Sequence, residues 1–128
     1  MKLLLSIALG GALGSLSRYG VSLLTLKYFN IGFPWGTFIV NVLGSFFIGL
    51  IAFYFAGKVI FTPAWQGFLV IGFLGAFTTF STFSLQTLEL FQNNHWHLAI
   101  INMTLNLILS ITSVYAGAGL GKFLAPLK

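Results

Sequence analysis

The sequence holds no cysteine, a single acidic residue and only 5% charged residues along 128 positions. Without cysteine there is no disulfide framework and no thiolate metal site. Soluble domains carry roughly 25% charged residues, and so sparse a set cannot coat a water-exposed globule. Glu89 is the lone acid against six Lys and Arg, which sets the net charge at +5. Basic residues that bind nucleic acid come in clusters; here Lys2, Arg18, Lys27, Lys58, Lys122 and Lys128 stand singly between apolar stretches. Enzymatic chemistry lacks its parts as well: there is no nucleophile–base pair, and His95 and His97 share one polar connector. No Gly-x4-Gly-Lys-Ser/Thr run offers a phosphate cradle. What fills the chain is 58% hydrophobic, with a mean hydropathy of +1.00. The sequence reads as an all-α integral membrane protein.

A bilayer core about 30 Å thick takes roughly 20 mostly apolar residues per helix. Four spans are expected, over about 3–25, 36–56, 66–91 and 97–122, as a single four-helix transmembrane domain covering 1–128. Breakers separate them: Asn30-Ile31-Gly32-Phe33-Pro34, Thr62-Pro63 and Gln92-Asn93-Asn94-His95. Tyr28, Trp35, Tyr54, Trp65 and Trp96 fall near span ends, where aromatic belts lie. The start, Met1-Lys2-Leu3-Leu4-Leu5, resembles a signal peptide, yet nothing soluble follows it to be secreted, so it reads as the first membrane helix. With four spans, Lys2, Lys58, Lys122 and Lys128 share one side and Arg18 and Lys27 the other. That bias is weak, and insertion both ways with antiparallel pairing is the expectation. Gly10-x3-Gly14 and Gly117-x3-Gly121 let helices approach closely, within a subunit or between subunits. Four such helices do not easily enclose a hydrated path, so transport would call for a homo-oligomer.

Polar residues inside these spans carry the functional signal. Six of the ten residues from Thr78 to Thr87 are Ser or Thr. Gly72 and Gly75 precede the β-branched pair Thr78-Thr79, a poor recipe for an unbroken helix. Non-helical backbone at this depth persists only where buried in protein or lining a wet cavity, and it exposes carbonyls that bind ions. A break over 75–79 with free carbonyls as cation ligands is one reading; a continuous helix whose hydroxyls bond back to their own turn is the other. Phe80 and Phe83, three apart, share one helix face. They either pack and meet lipid, or turn their positive ring edges to an anion. Asn41 is either a helix–helix hydrogen bond or a donor at a pore. Asn102, Asn106, Ser110 and Ser113 form one side of the last span. Arg18 serves as an interfacial anchor or as part of a wet anion entrance. Donors abound and acids are nearly absent, which suits an anion.

The run Gly36-Thr37-x3-Asn41 followed by Gly72-Phe73-Leu74-Gly75-x2-Thr78-Thr79-Phe80-Ser81-Thr82-Phe83-Ser84 resembles the Fluc (CrcB-type) fluoride channel family, and Gly10-Gly11-x2-Gly14-x3-Arg18 fits it too. The resemblance covers essentially the whole chain. It implies an antiparallel, dual-topology homodimer in the bacterial inner membrane, with two pores that let fluoride leave the cell passively and so relieve its toxicity. It also implies that the broken third helices meet around a structural Na⁺ held by the carbonyls of Gly75 and Thr78. On the same pattern Phe80, Phe83 and Asn41 line the pore, with Ser81, Thr82 and Ser84 along a hydroxyl track. Asn106 and Ser110 match fourth-helix pore positions, and Arg18 a vestibule. Ala76-Phe77 departs mildly from the family pattern and leaves the carbonyl ligands untouched.

Two other readings compete. A small dual-topology multidrug transporter matches the size but needs an acid within the membrane, and Glu89 falls near the end of its span. A non-conducting assembly subunit would tolerate loss of Phe80 or Asn41 with packing losses only.

Overall fold

Apolar runs cut by Pro, Gly and Asn become helices because a bilayer leaves backbone groups no other partner. A computed structural model describes residues 1–29, 32–56 and 61–125. Asn30, Ile31, Lys58 and Lys128, invoked above for a connector and for charge bias, lie outside them. The elements are α1 (Lys2–Tyr28), α2 (Trp35–Tyr54), α3 (63–77), α4 (Phe80–Gln92) and α5 (Trp96–Leu124). Thr62 caps α3 by accepting the Trp65 N–H at 3.4 Å, with Pro63 at the first position, where its missing N–H costs nothing. Asn94, at φ 59°, makes the turn between α4 and α5, a conformation Asn tolerates.

Three stretches among the described residues are long and apolar enough to cross a membrane: Trp35–Tyr54, Pro63–Gln92 and Trp96–Leu124. The expected first span forms a helix of 27 residues, but it is less apolar on average than α2 or α5. Lys2, Arg18 and Lys27 dilute it. Leu4, Leu16, Leu107 and Ile108 are all exposed, as side chains meant for lipid are.

α5 packs chiefly on α2, and α1 on the first half of the third helix. The α2–α5 pair is parallel and in register, with Asn41 beside Asn106, Gly49 against the Val114 backbone, and Gly117 against the Phe46 carbonyl. The Gly117–Gly121 motif is thus spent inside the chain, where α2 backbone comes too close for a side chain. Gly10 and Gly14 do the same against Phe68 and Phe73 of α3.

The third helix is not regular. Residues Gly67–Leu74 form a π-helix, followed by the short turn Gly75–Phe77. Helical backbone then stops. Thr78 (φ −81°, ψ 155°) and Thr79 (φ −153°, ψ 116°) are extended, and α4 restarts at Phe80. The break lies at the C-terminal end of the expected 75–79 window, since Gly75 itself remains helical. The continuous helix of the alternative reading is overturned, because Asn41 takes the Thr79 N–H, although the hydroxyls of Thr78, Ser84 and Thr87 do bond back to Leu74, Phe80 and Phe83 carbonyls.

A groove along the broken helix as candidate functional site

Asn41 makes the break possible. Its Oδ1 accepts the Thr79 N–H at 2.8 Å, and its Nδ2 donates to the Thr79 carbonyl at 3.2 Å. An amide side chain inserted into the ladder is a standard cause of a sharp kink. Gly44, one turn on, leaves room for the Thr78 methyl, which a Cβ there would strike. Two carbonyls lose their helical donors as a result. The Thr79 N–H that would reach Gly75 O goes to Asn41, and the Thr82 N–H that would reach Thr78 O goes to Thr79 Oγ1 at 3.2 Å.

From Asn41 a chain of amides runs across the bundle. Its second Nδ2 hydrogen reaches Asn106 Oδ1 at 3.1 Å. Asn106 Nδ2 donates to the Asn102 Oδ1 at 2.8 Å and to the Asn102 carbonyl at 3.1 Å. Asn102 Nδ2 donates to Thr87 Oγ1 at 2.9 Å, which passes its own hydrogen to the Phe83 carbonyl at 2.8 Å. Asn102 is fully buried and Asn106 is 5% exposed. The network ties the break, α2, α5 and α4 into one unit, and it satisfies polar groups that would be costly unpaired.

Beside this network lies an open cavity of about 750 Å³. Its walls bring together Asn41, Gly75, Thr78, Phe80, Phe83, Ser84, Asn106 and Ser110 from the expected set. Ser81 and Thr82 are not in its lining; their hydroxyls lie within hydrogen-bond distance of Thr79 Oγ1, at 3.3 and 2.9 Å. Arg18, half-buried on α1, lines neither this cavity nor the second one. The rings of Phe80 and Phe83 stand 5.4 Å apart, tilted by 47°. Phe80 is 79% exposed, a large apolar ring without cover from its own chain. The second cavity, about 390 Å³, lies where α1, α2 and the α4–α5 turn meet, and there Glu89 and His95 sit.

Sequence reasoning missed Thr87, Gly44, Ser45 and the joining role of Asn102. The i, i+4 series Asn102–Asn106–Ser110 was visible as a stripe, but its partner across the groove shows only when α2 and α5 are aligned side by side.

Comparisons with known proteins show the family of the chain. Residues 5–118 match the family model described as CrcB-like protein, Camphor Resistance (CrcB). A protein of Shewanella amazonensis named "Fluoride-specific ion channel FluC" is 49% identical over 117 residues, covering 91% of this chain and 94% of the relative. Proteins of the same name from Saccharophagus degradans and Magnetococcus marinus are 48% identical over 110 residues and 42% over 118. The alignments cover 86% of this chain and 82% of the relative in the first case, and 92% and 96% in the second. With a broken third helix, a hydroxyl- and amide-lined groove and relatives matched over nearly their full length, the chain belongs to the CrcB family.

Proposed function

We propose that this chain is a fluoride-selective channel that lets F⁻ leave the cell passively across the bacterial inner membrane and so relieves fluoride toxicity. The observation that carries the reading is the groove beside the helix break, where Phe80, Phe83 and unspent hydroxyls converge and no acid intrudes. Fluoride is small and strongly hydrated, so a pore must replace its water with donors, as carbonyl filters do for cations. Hydroxyls and the positive edges of tilted phenyl rings are such donors. The start of α4 adds the positive end of a helix dipole at the break.

The working unit in this reading is an antiparallel, dual-topology homodimer, with α1 as a fourth crossing. Support comes from the exposed Phe80 and from a groove open on one side, which a second copy would close. The freed carbonyls of Gly75 and Thr78 suit a hard cation, which takes oxygen ligands. Two per chain are few for such an ion, and a second chain would double them. A structural Na⁺ held there would supply a fixed positive charge to the pore region. The residues of this chain do the rest: Asn41 holds the break open, the amide network fixes α4, and the two Phe present their rings. A multidrug-transporter reading has no supporting observation, because the single acid, Glu89, lines the other cavity.

The test is fluoride efflux from liposomes carrying the purified protein, followed with a fluoride electrode and with chloride as control. Rapid fluoride release without chloride release is expected. No release from folded, dimeric protein would overturn the reading in favour of an assembly subunit.

A further inference from the structure

Ser45 on α2 keeps a hydroxyl hydrogen that the groove's own bonds leave unused. Six hydroxyls line the cavity: Ser45, Thr78, Thr79, Ser84, Thr87 and Ser110. Four are spent as donors, with Thr78 on Leu74 O, Thr79 on Thr82 Oγ1, Ser84 on Phe80 O and Thr87 on Phe83 O. The amide hydrogens of Asn41 and Asn106 are spent as well, within the network. Among the described residues, the side-chain donors left in the lining are Ser45 and Ser110. Serine inside a helix usually bonds back to the carbonyl four residues earlier, as Ser6, Ser22 and Ser84 do here. Ser45 and Ser110 do not.

Their placement follows from the helix register. α2 and α5 run parallel, with Asn41 hydrogen-bonded to Asn106 and Gly49 against the Val114 backbone. Ser45 lies one turn beyond Asn41, and Ser110 one turn beyond Asn106, so the two serines occupy matching levels of neighbouring helices. Both are half-buried and open to the cavity. Two O–H donors at one level of an acid-free groove make a place for a small, strongly hydrogen-bonding anion.

We propose that Ser45 and Ser110 together form an anion-binding station in the groove, with Ser45 a fluoride-coordinating residue of this chain. The proposal rests on the fluoride-channel reading above and deepens it. A hydroxyl on an ion contributes one charge-assisted hydrogen bond, so its loss slows passage through the station by about tenfold or more.

The experiment compares fluoride efflux from liposomes for the wild-type chain, Ser45→Ala and Ser45→Thr, each checked for the wild-type elution profile in detergent. Alanine removes the donor and favours helix, whereas threonine keeps the hydroxyl. Expected is a fall of about tenfold or more for Ser45→Ala and a rate within a few-fold of wild type for Ser45→Thr. Ser45→Ala conducting like wild type would overturn the station while leaving the channel intact. Equal losses in both variants would assign Ser45 to packing and also overturn it. A wild-type protein that releases no fluoride would refute the channel itself, and the station with it.

Discussion

Replacing Asn41 by alanine removes three hydrogen bonds in one step, two to the backbone of Thr79 and one to Asn106. Interhelical hydrogen bonds in membranes average about 0.6 kcal/mol, so the three together come to about 2 kcal/mol. The true cost is higher if the freed groups find no substitute. Thr79 is only 7% exposed, its N–H and C=O sit in extended backbone, and a buried group left unpaired costs about 1–3 kcal/mol. The expected destabilisation of Asn41→Ala is about 2–4 kcal/mol. Asn41→Asp should be worse still at neutral pH. The acid keeps an acceptor for the Thr79 N–H but turns a second oxygen toward the Thr79 carbonyl and Asn106 Oδ1, with no hydrogen between them. Equilibrium unfolding in mixed micelles, followed by circular dichroism, measures both. A double-mutant cycle with Asn106→Ala should give a positive coupling of about 0.5 kcal/mol or more, as contacting residues do. Asn41→Ala within about 0.5 kcal/mol of wild type would refute the claim that this side chain holds the break.

Phe80→Ile and Phe83→Ile should abolish fluoride efflux. Unchanged flux in either variant would sink the role of the rings. Gly117→Ala should cost about 1–3 kcal/mol in the same unfolding assay, since the added methyl meets the Phe46 carbonyl. Gly119→Ala, with nothing within 4 Å, should cost nothing; equal losses at both would contradict the α2–α5 packing. Replacing Na⁺ by a large organic cation throughout purification and assay should lower both dimer stability and fluoride flux. Unaffected dimers with full flux would remove the cation from the Gly75 and Thr78 carbonyls.

Much of the site was legible because its residue types are out of place. A Ser- and Thr-rich run, an isolated Asn and a pair of glycines stand out in a lipid-facing sequence, where each polar group needs a partner or a wet cavity. Thr78 and Thr79 were readable as a weak point because β-branched residues after glycines resist helix. That helix resumed at Gly75 and stopped only at Thr78 was not readable, because the deciding hydrogen bond comes from Asn41, 38 residues away. The π-helical stretch Gly67–Leu74 was missed for a similar reason. It is held where α1 backbone lies against Gly72 and α3 backbone against Gly10 and Gly14.

The sequence by itself determined the solvent of this protein and the character of its pathway. Apolar runs of membrane length fix helices through their own local hydrogen bonds, and the near-absence of acids leaves donors in charge. Tertiary structure decided which of those donors are free. A hydroxyl or amide has the same chemistry wherever it stands in a sequence. The seat of α2 against the break spends Asn41 on Thr79, its parallel register with α5 spends Asn41 on Asn106, and Ser45 and Ser110 at matching levels keep hydrogens to offer.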